Sequence, residues 1–132
     1  MTALSAILVL LFALWLMTVS LFMLAKPQKS LDILKLMGSS APIHFGEVIP
    51  RFFFGLGVFG IAATQAYPII WKTCGGFLSV SAIALMLAPR RWHHAYSRYW
   101  GERMRPAHIR MCAPISLILS AYLACAAIKL LA

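Results

Sequence analysis

From Thr2 to Ala25 the sequence reads TALSAILVLLFALWLMTVSLFMLA, without one charged side chain. A helix needs about 20 apolar residues to cross the hydrocarbon core of a bilayer. A segment this long and this apolar therefore constrains the fold more than anything else in the chain. Three further runs follow. Phe52–Tyr67 is shorter and is extended by a snorkelling Arg51 to a span of about 49–67; Ile69–Ala88 and Met111–Ala132 carry Lys72 and Lys129 near one end. Backbone N–H and C=O groups in hydrocarbon must be paired within the segment, so each run is expected to be a helix. The expectation is an all-α integral membrane domain covering residues 1–132, with spans at about 2–25, 49–67, 69–88 and 111–132. The totals agree: 62% of the 132 residues are hydrophobic, against about 45–50% in soluble domains.

The first run is read as a retained helix. It has no basic residue before it, and it is longer than the roughly 7–15 residues of a signal-peptide core. The positive residues Lys26 and Lys29 come after it.

The net charge of +9 is unevenly spread. Lys26, Lys29, Lys35, Arg51, Arg90, Arg91, Arg98, Arg103, Arg105 and Arg110 fall in the segments 26–51 and 89–110, and only Lys72 and Lys129 fall elsewhere. The positive-inside rule then places those two segments in the cytoplasm and both termini outside. A bacterial inner membrane is the expected location. In QAYPII the link between the second and third spans is short, so these two helices are expected to be antiparallel neighbours.

The densest segment is RRWHHAYSRYWGERMRPAHIR, Arg90–Arg110. On a helix over 90–104, Trp92, Tyr96, Tyr99, Trp100 and Met104 share one face, while Arg91, His94, Arg98, Glu102 and Arg105 fall mostly opposite. This is the pattern of a helix lying among lipid head groups. Its arginines, Arg90, Arg91, Arg98, Arg103 and Arg105, are matched to anionic phosphates at about 1 kcal/mol each. Nucleic acid is not the expected partner, because the segment joins two spans directly. The first basic segment is a weaker version: Ser30 is read as capping a helix SLDILKLM that ends at Gly38, with Leu31, Leu34 and Leu36 toward lipid.

The two halves resemble each other. MLAKP at Met23–Pro27 parallels MLAP at Met86–Pro89, and Gly38, Pro42, His44 and Pro50 match Gly101, Pro106, His108 and Pro114. Two crossings per half give both halves the same orientation, which makes this a candidate parallel repeat.

A possible polar site consists of His44, Glu47, Arg51, His93, His94 and His108, all on the expected cytoplasmic side. His44, Glu47 and Arg51 share a helical face and Glu47 can pair with Arg51, although Pro50 complicates a continuous helix there. His108 and Cys112 have the spacing of two helical metal ligands, but no third ligand is well placed, and neither metal nor cofactor is expected. GLGVFG at Gly55–Gly60 has the spacing of a dinucleotide loop without the strand that such a loop requires. Gly57 and Gly60 are instead read as a surface for close helix approach, as are Cys112, Ser116, Ser120 and Ala124 in the last span and Gly76, Val80 and Ala84 in the third. Cys74 and Cys125 lie at similar depth, as small apolar residues or as a disulfide.

ERMRPAHI, Glu102–Ile109, is similar to the E-R-x-R-x-A-H motif of the MAPEG membrane family. Its members have four helices with outward termini and often handle glutathione or lipid-like substrates. The similarity is confined to those residues and lies between spans three and four, where the family carries it between spans one and two. Arg110 and Met111 stand where the family has Asn and Glu, so no catalytic role is carried over. Small multidrug transporters share the size and helix number but keep an acidic residue in the first span, where this chain has none. The favoured reading is a non-catalytic accessory or scaffold subunit that packs on a larger membrane complex or on a second copy of itself. The alternative is a membrane enzyme or transporter that handles lipids or small molecules through the histidine, Glu47 and Arg51 cluster. Convergence of those side chains on one cavity distinguishes the second reading from the first.

Overall fold

The computed structural model describes residues 2–132, and all six helices are α: α1 Thr2–Ala25, α2 Pro27–Leu36, α3 Ala41–Gly60, α4 Pro68–Leu87, α5 Arg90–Arg103 and α6 Pro106–Leu131. A 3-10 turn at Ala62–Thr64 follows α3. The helices α1, α4, α6 and the unit Ala41–Thr64 are long and apolar enough to cross a membrane. The chain is thus a small all-α protein with four helices able to cross a membrane, and α2 and α5 packed on each other at one end of them.

Proline sets most helix starts. Pro27, Pro42, Pro68 and Pro106 occupy the first or second helical position, where a missing N–H costs nothing and φ is already helical. This moves α2 upstream of the expected Ser30 cap: the helix starts at Pro27, and Ser30 Oγ bonds back to the Lys26 carbonyl at 3.1 Å. It also lengthens the second span. Ser40 caps α3, accepting from Ile43 N at 3.4 Å, so α3 runs from Ala41 through Pro50 without a break. Pro50 removes the donor that would have met the Gly46 carbonyl, but it does not end the helix.

The long helices pair across the two halves. α1 packs chiefly on α6, and α3 chiefly on α4. Ala6, Val9 and Ala13 meet Leu123, Ala126 and Ala127 in a buried cluster completed by Val58, Ile61, Ala62 and Trp71. Between α3 and α4 the backbones nearly touch. A Cβ added to Gly55 would lie 2.7 Å from Ser79 N and 2.8 Å from the Gly75 carbonyl, and Ser79 Oγ donates to the Phe52 carbonyl at 3.1 Å. In hydrocarbon there is no hydrophobic force between helices, so close backbone contact and such polar links hold the pair. Gly57 and Gly60 do face another helix, as their spacing suggests: Gly57 meets Leu8 and Ser5 of α1, and Gly60 meets Ser5.

The small-residue stripes of the last two spans are rotated from the expected ones. In α4 it is Gly75 and Ser79 that face α3, while Gly76 has nothing near it and Val80 is exposed. In α6 the buried stripe is Ile109, Ala113, Ser120, Leu123, Ala126 and Ala127. Ser120 lies within it, Ala124 packs at its edge, Ser116 is half-buried and Cys112 is exposed. A strict four-residue repeat drifts about 40° per step around a helix with 3.6 residues per turn, so it leaves a straight contact line within a few steps. Cys74, Cys112 and Cys125 are all free and exposed, so Cys74 and Cys125 neither pair nor fill a core.

Most buried positions of α3 and the turn after it recur in α6 at one constant sequence separation. His44, Val48, Gly55 and Val58 of α3, with Ile61 and Ala62 beyond it, correspond to Ile109, Ala113, Ser120, Leu123, Ala126 and Ala127; Gly57 is the exception, its counterpart Tyr122 being exposed. This register is one residue away from the His44–His108 and Pro50–Pro114 matches. The paired glycines Gly38 and Gly101 each lie against the other half's short helix: Gly38 on the His94 backbone, Gly101 on Lys35.

Candidate functional site

The spacing His44, Glu47, Arg51 puts three polar side chains on one face of α3, and α5 brings His93 to the same place. The approach depends on Gly38. It adopts a positive φ of 76°, a conformation that suits glycine, and a side chain there would collide with the His94 backbone, 2.7 Å from its nitrogen. On α5 the inward residues are His93, Ser97 and Gly101, a polar and small face one helical turn apart at each step.

His44 and His93 are 2% and 6% exposed. Their Nδ1 atoms stand 2.8 Å apart, a hydrogen bond in which one ring donates and the other accepts. Burial, reinforced by the neighbouring His44, Arg51 and His94, holds His93 below the ordinary histidine pKa. With His93 neutral, the tautomer that suits both partners carries its proton on Nε2, and His44 donates from Nδ1. The Nε2 atom of His93 is 3.7 Å from Glu47 Oε2, beyond hydrogen-bond range. Glu47 pairs through Oε1 with Arg51 one turn along α3. Glu47 Oε2 is buried and has no hydrogen-bond partner.

Glu47 and Arg51 stand on the wall of a cavity of about 500 Å³ between α1, α3 and α4. Gly46, Pro50 and Ser81 add to its polar end; Phe12, Trp15, Leu16, Phe54, Phe77 and Leu78 make the rest apolar. The Gly46 carbonyl, deprived of its helical donor by Pro50, belongs to this wall. A second cavity of about 390 Å³ lies between α4 and α6 and is lined almost wholly by apolar and aromatic side chains, among them Trp71 and Tyr122, whose rings are 5.7 Å apart.

Four of the six expected polar-site residues thus gather: His44, Glu47, Arg51 and His93. His94 is half-buried beside Gly38, outside the cavity. His108 is exposed and accepts from Arg105 N at 3.1 Å, as part of a capping box at the start of α6. Among the described residues, no group of three or more His, Cys, Asp or Glu side chains is placed to hold a metal ion. On α5, Trp92, Tyr96, Tyr99 and Trp100 are exposed together with Arg90, Arg91, Arg98, Arg103 and Arg105. Arg98 bonds Glu102 at 2.8 Å, which holds that carboxyl below its usual pKa, and the Arg103 guanidinium sits 3.4 Å above the Tyr99 ring.

The apolar wall was missed from the sequence. One signal was present: Trp15 lies deep inside an uncharged span, whereas tryptophan prefers the membrane interfaces. Comparison with protein-family models, curated proteins and solved structures returns no match for the chain, and the similarity at Glu102–Ile109 gains no support from them.

Proposed function

We propose that the protein is a membrane protein that binds a lipid-like small molecule in the cavity between α1, α3 and α4. The observation that carries this reading is Glu47. Its Oε2 is buried without a donor beside an apolar cavity, and a buried unsatisfied carboxylate oxygen costs free energy unless something supplies a proton donor. A ligand head with an O–H group meets the need once the carboxylate turns that oxygen, which faces His93, toward the cavity. The Glu47–Arg51 pair is already neutral as a unit, so a neutral hydroxyl or phenol adds no uncompensated charge, whereas an ammonium would leave one. The outer face of Arg51 and the Gly46 carbonyl offer further partners to the same head.

The accessory-subunit reading has less behind it. Gly55, Gly57, Gly60 and Gly75, the small residues best suited to receive a partner helix, are covered within the chain. The proposed setting is an inner membrane, with α2 and α5 on the cytoplasmic face and both termini outside. The arginines and aromatic rings of α5 moor that face to anionic lipid.

The test uses protein in lipid nanodiscs with Trp15 as the sole tryptophan, after Trp71, Trp92 and Trp100 are changed to Phe. The probe is a para-alkylphenol brominated on the ring. The expected result is saturable quenching of Trp15, relieved by the unbrominated phenol and weakened about tenfold in Glu47→Ala/Arg51→Ala, as loss of a charge-assisted hydrogen bond predicts. Quenching that rises linearly with probe and ignores the competitor would mean simple dissolution in the bilayer, and the proposal would fail.

A further inference from the structure

The two cavities share part of their walls. Phe12, Phe77 and Leu78 line both. They come from the middle of α1 and α4, so one cavity extends from them toward Glu47 and Arg51 and the other toward Trp71 and Tyr122, near the opposite end of the long helices. The groove beside α6 exists because α4 and α6 stay apart where α1 and α3 close on each other through Gly57, Gly60 and Phe54. A gap of this kind, almost without polar lining, has no use for a polar head.

We infer that the two cavities form one binding path, and that the ligand is a long-chain amphiphile whose hydrocarbon tail passes Phe12, Phe77 and Leu78 into the α4–α6 groove while its hydroxyl stays at Glu47. This rests on the binding reading above and adds the class of tail. Continuity with the polar cavity selects the occupant: a chain already anchored by its head reaches the groove without leaving the apolar wall. Phe12, Phe77 and Leu78 flank the passage, the last two from a helix locked to α3 by Gly75 and Ser79.

Two tryptophans report the two ends separately. Trp15 lines the cavity at Glu47 and Trp71 lines the groove. Two phenols of equal chain length are compared in nanodiscs, one brominated on the ring and one at the chain end. Sole-tryptophan proteins carry either Trp15 or Trp71. The ring bromine is expected to quench Trp15, and the terminal bromine to quench Trp71, each saturably and each relieved by the unbrominated phenol. Cys74→Phe, which fills the α4–α6 groove and lines that cavity alone, is expected to abolish the Trp71 response and to leave the Trp15 response in place. Saturable quenching of Trp15 with no competitor-sensitive quenching of Trp71 by the terminal bromine overturns the continuous path and leaves the head site standing. Loss of saturable quenching at Trp15 as well overturns the binding reading itself. Should Cys74→Phe fold poorly, Phe77→Ala is the second variant: a widened path must keep or strengthen the Trp71 response, and its loss also overturns the inference.

Discussion

The two halves of the molecule, α1–α3 and α4–α6, run through the same order of long helix, proline, short helix and long helix, yet only the first places polar residues, His44, Glu47 and Arg51, on its second long helix, where α5 of the other half adds His93. Position for position along the buried face, His44 of α3 becomes Ile109 in α6. By the same spacing, Glu47 becomes Cys112, which is exposed, and Arg51 becomes Ser116, which is half-buried. The helices around them also close differently. α1 and α3 meet through glycine and stacked rings, with Phe12 and Phe54 centroids 5.0 Å apart; α4 and α6 leave a groove. The difference teaches that the buried face of such a helix does not require a polar residue at this position, since α6 buries an isoleucine in the place of His44. A feature that the fold does without in one half and keeps buried in the other calls for a chemical reason.

The largest expected effect tests the pairing itself. Gly55→Leu places a side chain against the backbone of Gly75 and Ser79, where nothing can shift cheaply, and it should cost at least about 3 kcal/mol in reversible unfolding from lipid–detergent mixtures. Its counterpart Ser120→Ala removes a hydroxyl that bonds only its own helix, at Leu117, 2.7 Å away, and should cost less than about 1 kcal/mol. Equal losses at the two sites would break the comparison.

Next comes the exchange of one half's residue for the other's. His44→Ile leaves the buried Nδ1 of His93 without its partner and should cost about 1–3 kcal/mol. Adding His93→Leu should recover part of that loss, so that a double-mutant cycle gives a coupling of about 1 kcal/mol or more. Strict additivity would mean that the histidines touch without depending on each other.

Acid should find the same asymmetry. His93 has a lower pKa folded than unfolded, so the unfolded chain takes up the proton first as pH falls. Stability is then fully present above about 6.5, the ordinary histidine value, and is lost as pH falls from there through the depressed folded value. The groups facing His93 are His44 and Glu47 and, at longer range, Arg51 and His94; all but His94 lie on α3 of the first half. A melting profile between neutral and mildly acidic pH should show the loss in the natural protein and lack it in His44→Ile/His93→Leu. The smallest effect is at the surface. Changing Arg90 and Arg91 to Gln should leave stability and phenol binding unchanged and should reduce the enrichment of anionic over zwitterionic lipid around the protein, by up to about 1 kcal/mol per charge.

The long helices were legible because the rule behind them is coarse: a run of apolar residues of sufficient length has one outcome in hydrocarbon. Proline and Gly38 were legible as punctuation. Facing was less so. In α4 the reading chose Gly76 and Val80, one residue away from Gly75 and Ser79, because both stripes are small and apolar and a helix solvated by lipid gives no hydrophobic side from which to choose. The pairing of Glu47 with Arg51 followed from spacing within one helix. Its meeting with His93 did not, since contact between residues so far apart in sequence depends on how α5 docks. The same applies to the cavity, whose wall is drawn from three helices with no common motif.

The interlock of Gly55, Gly75 and Ser79 has a consequence for traffic. Where two backbones touch, the helices behave as a single plank, and no slit opens between them without breaking the fold. On the proposed binding path, a guest then comes and goes sideways, from the surrounding bilayer, past the flank that α4 and α6 leave ajar, and never has to appear in water.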